Sequence, residues 1–311
     1  MTASTDHTLY PLRGSDVLPL PEEGQGPNNT RFAPSPTGYL HIGHAYSALF
    51  AYEAARQSGG RFVVRLENID EQRCRKEFEQ ATLEDLEWLG LHWEGDVRRQ
   101  SEGVGLYREA LDALADAELV YPCFCTRKQI RAEIEEASRA PHGPSGELLY
   151  PGICRHLGAK DREYRMAHGE PFAWRLDVTR AMALAGHLDW YDCRAGWVTA
   201  RPDLLGDVVL GRKDSPTSYH LSVTLDDHLQ GVSLVTRGED LFHATHIHRL
   251  LQALLGLDTP RYYHHNLVAD SGGTRLAKRN RAITLRHLRD TGKTPADIWR
   301  LLGLGGPRSS G

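Results

Sequence analysis

A mixed α/β fold built round a parallel sheet is what this sequence of 311 residues predicts, and three observations carry that expectation. Strand-like, helical and strand-like runs follow one another between Thr30 and Leu66, the order of a βαβ unit whose two strands run parallel. Apolar residues make up 40% of the chain and charged residues 25%, which supplies a buried core and excludes global disorder. At 34.8 kDa the chain is long for one compact core and comfortable for two.

Composition excludes several functional classes. No stretch approaches the ~18–20 uncharged apolar residues of a membrane helix, so no membrane association is expected. The opening MTASTDHTLY has neither a basic nor an apolar region and is not a secretory signal. Five cysteines, an odd number, point to reduced thiols and a cytoplasmic protein. The formal charge of −4 speaks at first sight against a nucleic-acid partner. It is an average, however. Residues 261–311 hold ten Lys/Arg against three Asp, an excess of +7 that leaves −11 on the rest.

Each element follows from its own pattern. Residues 1–29 are rich in Pro, Gly and Asn and read as a flexible extension. Thr30 to Ser35 is a short strand that meets Pro34 and Pro36 and ends in a Thr37-Gly38 turn. From Ile42 the apolar positions Ala45, Leu49 and Tyr52 recur at helical spacing until Gly59-Gly60, and Arg61 to Leu66 is again a strand. Amphipathic helices are predicted over roughly 72–89, with Phe78, Thr82, Leu86 and Leu89 on one face, and 103–118, with Leu106, Ala110, Leu114 and Ala117. Thr126-x-x-Gln129 is a capping box opening a helix over 127–138. Strand-like alternation dominates 171–237 in the runs FAWRLDV, GDVVLGR, SYHLSVTLDDH and GVSLVTR. A helix then carries Ile247, Leu250, Leu251 and Leu254, and two short helices fit 283–290 and 294–302.

The strongest chemical signal is the run from Arg31 to His44, RFAPSPTGYLHIGH. A strand ending in a tight Pro/Gly turn delivers His41 and His44 to a helix N-terminus, where backbone N–H groups and the helix dipole suit an anion. Gly43 lets a flat nucleotide base approach the backbone, and the two imidazoles can donate hydrogen bonds to phosphate oxygens. Phosphoryl-type displacement needs positioning and charge stabilisation above all, and this arrangement supplies both. A lone HxGH would be read more simply as a capped helix; the strand and turn before it favour the phosphate reading.

This run, together with Arg65-Leu-Glu67-Asn-Ile-Asp70, the segment Tyr219 to Val232 containing Asp226-Asp227-His228, and Thr236-Arg237-Gly-Glu-Asp-Leu, resembles the class I aminoacyl-tRNA synthetases of the glutamyl/glutaminyl branch. The resemblance spans residues 30 to 300. It implies a Rossmann-type catalytic domain that makes glutamyl-adenylate from ATP, with Mg2+, and L-glutamate. By position it assigns Arg31, Ser35, Glu67, Tyr219 and Arg237 to glutamate, and His41, Gly43, His44 and Lys278 to ATP, with His41, His44 and Lys278 catalytic. The residue types suit these roles. A guanidinium fork such as Arg31 or Arg237 matches a γ-carboxylate, and Glu67 matches an α-ammonium. In the lysine loop, Lys278 of Arg275-Leu-Ala277-Lys278-Arg279 aligns with the lysine that steadies the triphosphate, while Arg275 and Ala277 depart from the usual lysine and serine.

Cys123-Phe-Cys125 and Tyr150-Pro-Gly-Ile-Cys154 form a third signal. Three thiols at this spacing can share a tetrahedral zinc with one further ligand, for which His142 or His156 is the natural choice from spacing alone. The resemblance implies Tyr150 instead, giving a structural Zn2+ site of Cys123, Cys125, Tyr150 and Cys154. Cys74 and Cys193 read as ordinary packed thiols.

The resulting organisation is an extension (1–29), the first half of the Rossmann domain (30–119), a zinc-binding, acceptor-like insertion (120–205), the second half (206–258), and an ATP loop with a short helical tail (259–311). Only 32 residues follow Arg279, where an ordinary glutamyl-tRNA synthetase carries a helical anticodon-binding region. The chain therefore resembles the truncated glutamyl-Q branch, which implies transfer of glutamate to the cyclopentene-diol of queuosine, the wobble base of tRNA(Asp); a monomer is expected. Alternatives are a short glutamyl-tRNA synthetase charging the tRNA 3′ end, a nucleotidylyltransferase, and an inactive tRNA-binding paralogue.

Overall fold

A computed structural model describes residues 16–22, 25–136, 143–144, 149–268 and 283–304. In chain order the elements are β1 (Thr30–Phe32), α1 (Ile42–Ser58), β2 (Phe62–Leu66), α2 (Lys76–Trp88), β3 (Arg98–Arg99), α3 (Val104–Asp116), β4 (Val120–Cys123), α4 (Arg127–Glu136), α5 (Ala159–Ala167), β5 (Ala173–Leu176), α6 (Val178–Ala185), β6 (Asp189–Asp192), β7 (Gly196–Thr199), β8 (Val209–Gly211), α7 (Tyr219–Leu229), β9 (Leu234–Gly238), α8 (Ala244–Leu255), β10 (Arg261–His265), α9 (Leu285–Asp290) and α10 (Pro295–Leu301). They divide into two compact units. One holds residues 1–99, 232–240 and 263–311, the other 100–231 and 241–262.

The first unit contains the expected βαβ element. β1 and β2 pair in parallel, Arg31 opposite Val63, and β3 extends the sheet on the far side of β2. α1 packs on β1, β2 and β9, and its buried residues include Ala45, Ala48, Leu49 and Ala54. Small side chains let the helix lie close to the strands. Gly59 ends the helix at φ 72°, a left-handed conformation that disfavours any residue with a Cβ. At Gly60 a Cβ would stand 2.2 Å from the Asn28 carbonyl oxygen, so only glycine admits the chain at this point.

Part of the segment read as a flexible extension is tied to this unit. The Asp16 carboxylate accepts from the Tyr46 hydroxyl at 2.6 Å and from the Asn266 backbone N–H at 3.0 Å. The Asn28 amide donates to the Pro19 carbonyl at 2.7 Å.

The C-terminal helices belong to the same unit. Trp299 is buried and its indole N–H donates to the Leu89 carbonyl at 3.1 Å. Several cations of the basic C-terminal segment are partnered within the protein: Arg289 faces Asp85 at 3.6 Å, and Arg286 donates to the Tyr39 hydroxyl at 3.1 Å. Asp85 itself is buried, and its side-chain oxygens accept no hydrogen bond among the described residues. Burial pushes its carboxyl up to about 6, with Arg289 pulling the other way by less. The folded state therefore holds the proton more tightly than the unfolded chain, and stability falls as pH rises from about 4 through about 6. Asp85→Asn is expected to raise the melting midpoint at pH 8 and to give little gain at pH 4; an equal gain at both would contradict this assignment.

In the second unit β4, β5 and β8 form an antiparallel sheet, with Cys123 opposite Ala173. β6 and β7 form a hairpin, and Tyr262 pairs in parallel with Asp192. The capping box opening α4 is present, Thr126 and Gln129 exchanging bonds of 2.8 and 3.2 Å. α3, α7 and α8 pack together.

Two expectations change here. The run SYHLSVTLDDH is helix α7, not a strand. Its alternating Leu221, Val223 and Leu225 imitate a strand, but 221–227 are buried throughout, and a helix covered all round has no polar face to betray its period. The intervening hydroxyls are satisfied internally, Ser222 donating to the Ser218 carbonyl at 3.0 Å and Thr224 to the His220 carbonyl at 2.7 Å. On α3 the buried face is Tyr107, Leu111 and Leu114, while Leu106 is 43% exposed. Tyr107 turns inward because its hydroxyl donates to the buried Asp226 carboxylate at 2.8 Å, beside Gln100 at 2.9 Å.

Candidate active site and metal centre

His41 is the N-cap of α1. Its Nδ1 accepts from the Gly43 N–H at 3.1 Å, and Nδ1 of His44 accepts from the His41 N–H at 3.2 Å, a reciprocal capping box made of two imidazoles. The rings stack with centroids 3.8 Å apart. A ring nitrogen that accepts an N–H carries no proton, so both rings are neutral with the proton on Nε2. Burial lowers the His41 pKa, and burial together with the neighbouring His41 pushes His44 down to about 3. Capping thus uses the Nδ1 side of each ring, with the Nε2–H on the other side. Gly43 is required by the ring as much as by any ligand, because a Cβ there would lie 3.0 Å from Cε1 of His41.

The other expected residues of the first unit stand on its strands or just beyond their ends. Arg31 is buried in β1 and donates to the Thr236 carbonyl at 3.1 Å. Ser35 is exposed, and its carbonyl accepts from the Thr37 N–H at 2.8 Å to shape the turn. Glu67 follows β2 directly, its N–H bonded to the Pro34 carbonyl at 3.0 Å and its carboxylate 3.4 Å from the fully buried Arg65 guanidinium. Arg237, in β9, donates from Nε to Nε2 of His264 at 3.1 Å, and both are buried. Tyr219 belongs to the other unit; it is the first residue of α7, half-buried, with its ring 5.6 Å from that of His248.

Lys278, Arg275 and Ala277 lie outside the described residues. The residues on either side of that segment are bonded near the start of α1. Nε2 of His265 is 3.0 Å from the Ser47 hydroxyl, Thr284 bridges His41, and the Leu285 N–H donates to the Leu40 carbonyl at 2.8 Å.

The cysteines converge in the second unit. Sγ atoms of Cys123, Cys125 and Cys154 all lie within 4.8 Å of one another. The Tyr150 hydroxyl is 3.4 Å from Sγ of Cys123 and 3.7 Å from Sγ of Cys125. A tetrahedron of ligands ~2.3 Å from zinc has edges of about 3.8 Å, so four donors at these separations fit that ion. His156 is exposed and outside the cluster, and His142 lies outside the described residues. Burial pushes the Cys125 thiol up to about 12. At Cys154 burial also raises the pKa, but hydrogen bonds from the Tyr150 hydroxyl and the Phe124 backbone outweigh it and the net shift is downward. Cys74 and Cys193 lie outside this cluster.

Some residues at these sites carry no sequence signal of their own. His264 beside Arg237 and Thr284 beside His41 follow no motif spacing, and only the pairing of distant segments reveals them.

A family model described as tRNA synthetases class I (E and Q), catalytic domain, matches residues 28–310. The chain belongs to this family, which carries the mixed α/β fold expected from the sequence. The chain is 48% identical over 287 residues to the Glutamyl-Q tRNA(Asp) synthetase of Rhodobacter capsulatus, covering 88% of this chain and 99% of that one. It is 43% identical to the Glutamyl-Q tRNA(Asp) synthetase of Nocardia farcinica, covering 88% and 82%. A crystal structure of a glutamate tRNA ligase from Elizabethkingia meningosepticum, in complex with its amino acid, superposes with a TM-score of 0.67 at 28% identity. The match covers 86% of this chain and 53% of that one, so the chain spans about half the length of the ligase. Among the described residues no helix is long and apolar enough to cross a membrane.

Proposed function

We propose that the chain activates L-glutamate with ATP and transfers the glutamyl group to the cyclopentene-diol of queuosine in tRNA(Asp). The observation that carries this reading is the 48% identity, along 99% of its length, to a Glutamyl-Q tRNA(Asp) synthetase.

In the first step a glutamate carboxylate attacks the α-phosphorus of ATP, Mg2+ accompanying the nucleotide, and pyrophosphate leaves. His41 and His44 then serve as neutral donors, their Nε2–H groups offered to phosphate oxygens at the positive end of α1. Neutral rings stabilise developing charge without having to lose a proton near pH 7. Arg31 and Arg237 receive the γ-carboxylate, and Glu67 the α-ammonium. Ser35 lines the same turn, and Tyr219 keeps its glutamate role on the strength of the resemblance alone. Lys278 steadies the triphosphate, which the bonding of its flanking residues to α1 supports. In the second step a hydroxyl of the diol attacks the acyl carbon and AMP leaves, with no covalent enzyme intermediate. Unpaired anticodon-loop bases can be splayed out and stacked, which gives a catalytic domain access to the wobble position. The cysteine–tyrosine cluster holds a structural Zn2+, and the chain acts as a cytoplasmic monomer.

Glutamate-dependent exchange of pyrophosphate into ATP tests the first step. Exchange is expected with glutamate and not with aspartate or glutamine; no exchange with glutamate would favour an inactive paralogue or a nucleotidylyltransferase.

A further inference from the structure

We infer that Asp207 is the outer-sphere positioning residue of the Cys123–Cys125–Tyr150–Cys154 site, gripping its Tyr150 and Cys154 arms from behind; this rests on the zinc reading above. Asp207 lies two residues before β8 and is 1% exposed. Its Oδ2 accepts from Nε of Arg155 at 2.7 Å and from Nη2 of the same guanidinium at 2.5 Å, and also from the Tyr121 hydroxyl. Its Oδ1 accepts from the Val178 N–H at 3.1 Å, and its backbone carbonyl accepts from Nη1 of Arg175 at 2.6 Å.

The two arginines lead directly to the ligands. Arg155 follows Cys154 in the chain, so a fork held on Asp207 fixes the peptide that carries the thiol. Arg175 lies over the Tyr150 ring, 3.8 Å from its centroid, and fixes the plane of the phenol. Arg162 reinforces the first arm by donating to the Arg155 carbonyl at 2.5 Å. Cys123 is anchored separately through the β4–β5 ladder. Of the three ligands outside that ladder, Tyr150 and Cys154 are the two these arginines reach, and outer partners of this kind orient ligands that would otherwise rotate.

A buried carboxylate in an ion pair also serves packing, so the test reads the metal. Full-length protein loaded with zinc is titrated with a competing chromophoric chelator, and the cobalt-substituted protein is followed by its thiolate absorption. Asp207→Asn and Arg175→Met are each expected to weaken zinc retention about 10- to 100-fold and to alter the cobalt spectrum. Arg180→Met removes an exposed cation of the same unit whose partner is Glu118, and is expected to leave retention unchanged. Wild-type retention in both Asp207→Asn and Arg175→Met would overturn the assignment. If Asp207→Asn does not fold, Arg155→Met and Arg175→Met decide. A wild-type protein that takes up no zinc would overturn the site itself, a separate result.

Discussion

Replacing Lys278 by alanine is expected to slow glutamate-dependent ATP–pyrophosphate exchange about 10²- to 10³-fold, with no change in the melting midpoint. The size follows from its role: an ammonium that meets the triphosphate as negative charge builds on departing pyrophosphate stabilises the transition state more than the ground state. The loss should therefore fall mainly on kcat. The described residues on either side of the stretch carrying Lys278 are bonded to the first turns of α1, where His265 meets Ser47 and Thr284 bridges His41. Lysine is a point charge, so Lys278→Arg should recover part of the rate. Unchanged exchange in Lys278→Ala would remove the loop from the mechanism.

The second large effect is expected at the metal. Wild-type protein should carry about one zinc per chain, and Cys154→Ala should lose it and melt lower by roughly 10 °C, because metal binding free energy becomes folding free energy. Without the ion, Cys123, Cys125 and Cys154 are three thiols within 4.8 Å in an apolar cluster that includes Phe124 and Tyr150. Retention of zinc by Cys154→Ala, or equal melting of both proteins with and without chelator, would contradict the ligand set.

Much of the first unit was legible in the sequence. The βαβ order, the glycine stop at Gly59 and the imidazoles at the head of α1 all rest on local patterns, and local patterns survive folding. Helix α7 was not legible, because burial on every side erased its amphipathic period. The inward face of α3 was misjudged because Tyr107 is drawn in by Asp226, a partner in a segment far along the chain. Tyr150 enters as a candidate ligand only through the family resemblance, since spacing alone favours a histidine. Its hydroxyl stands 3.4 Å from Cys123, which spacing cannot express. Asp207 and His264 were invisible for the same reason: a lone acid and a lone histidine have no period, and their roles exist only in contacts between distant segments. Net charge was the least informative reading, for part of the C-terminal excess is spent on Asp85 and Tyr39 within the fold.

The central assignment is the acceptor of the glutamyl group, and one measurement addresses it. The chain is incubated with ATP, labelled glutamate and tRNA(Asp) that either contains or lacks queuosine, and the position of the label is mapped. Label is expected only on queuosine-containing tRNA(Asp), attached to the modified wobble base. Label that appears regardless of queuosine, or that maps to the 3′-terminal adenosine, would contradict transfer to the diol and make the chain a short glutamyl-tRNA synthetase.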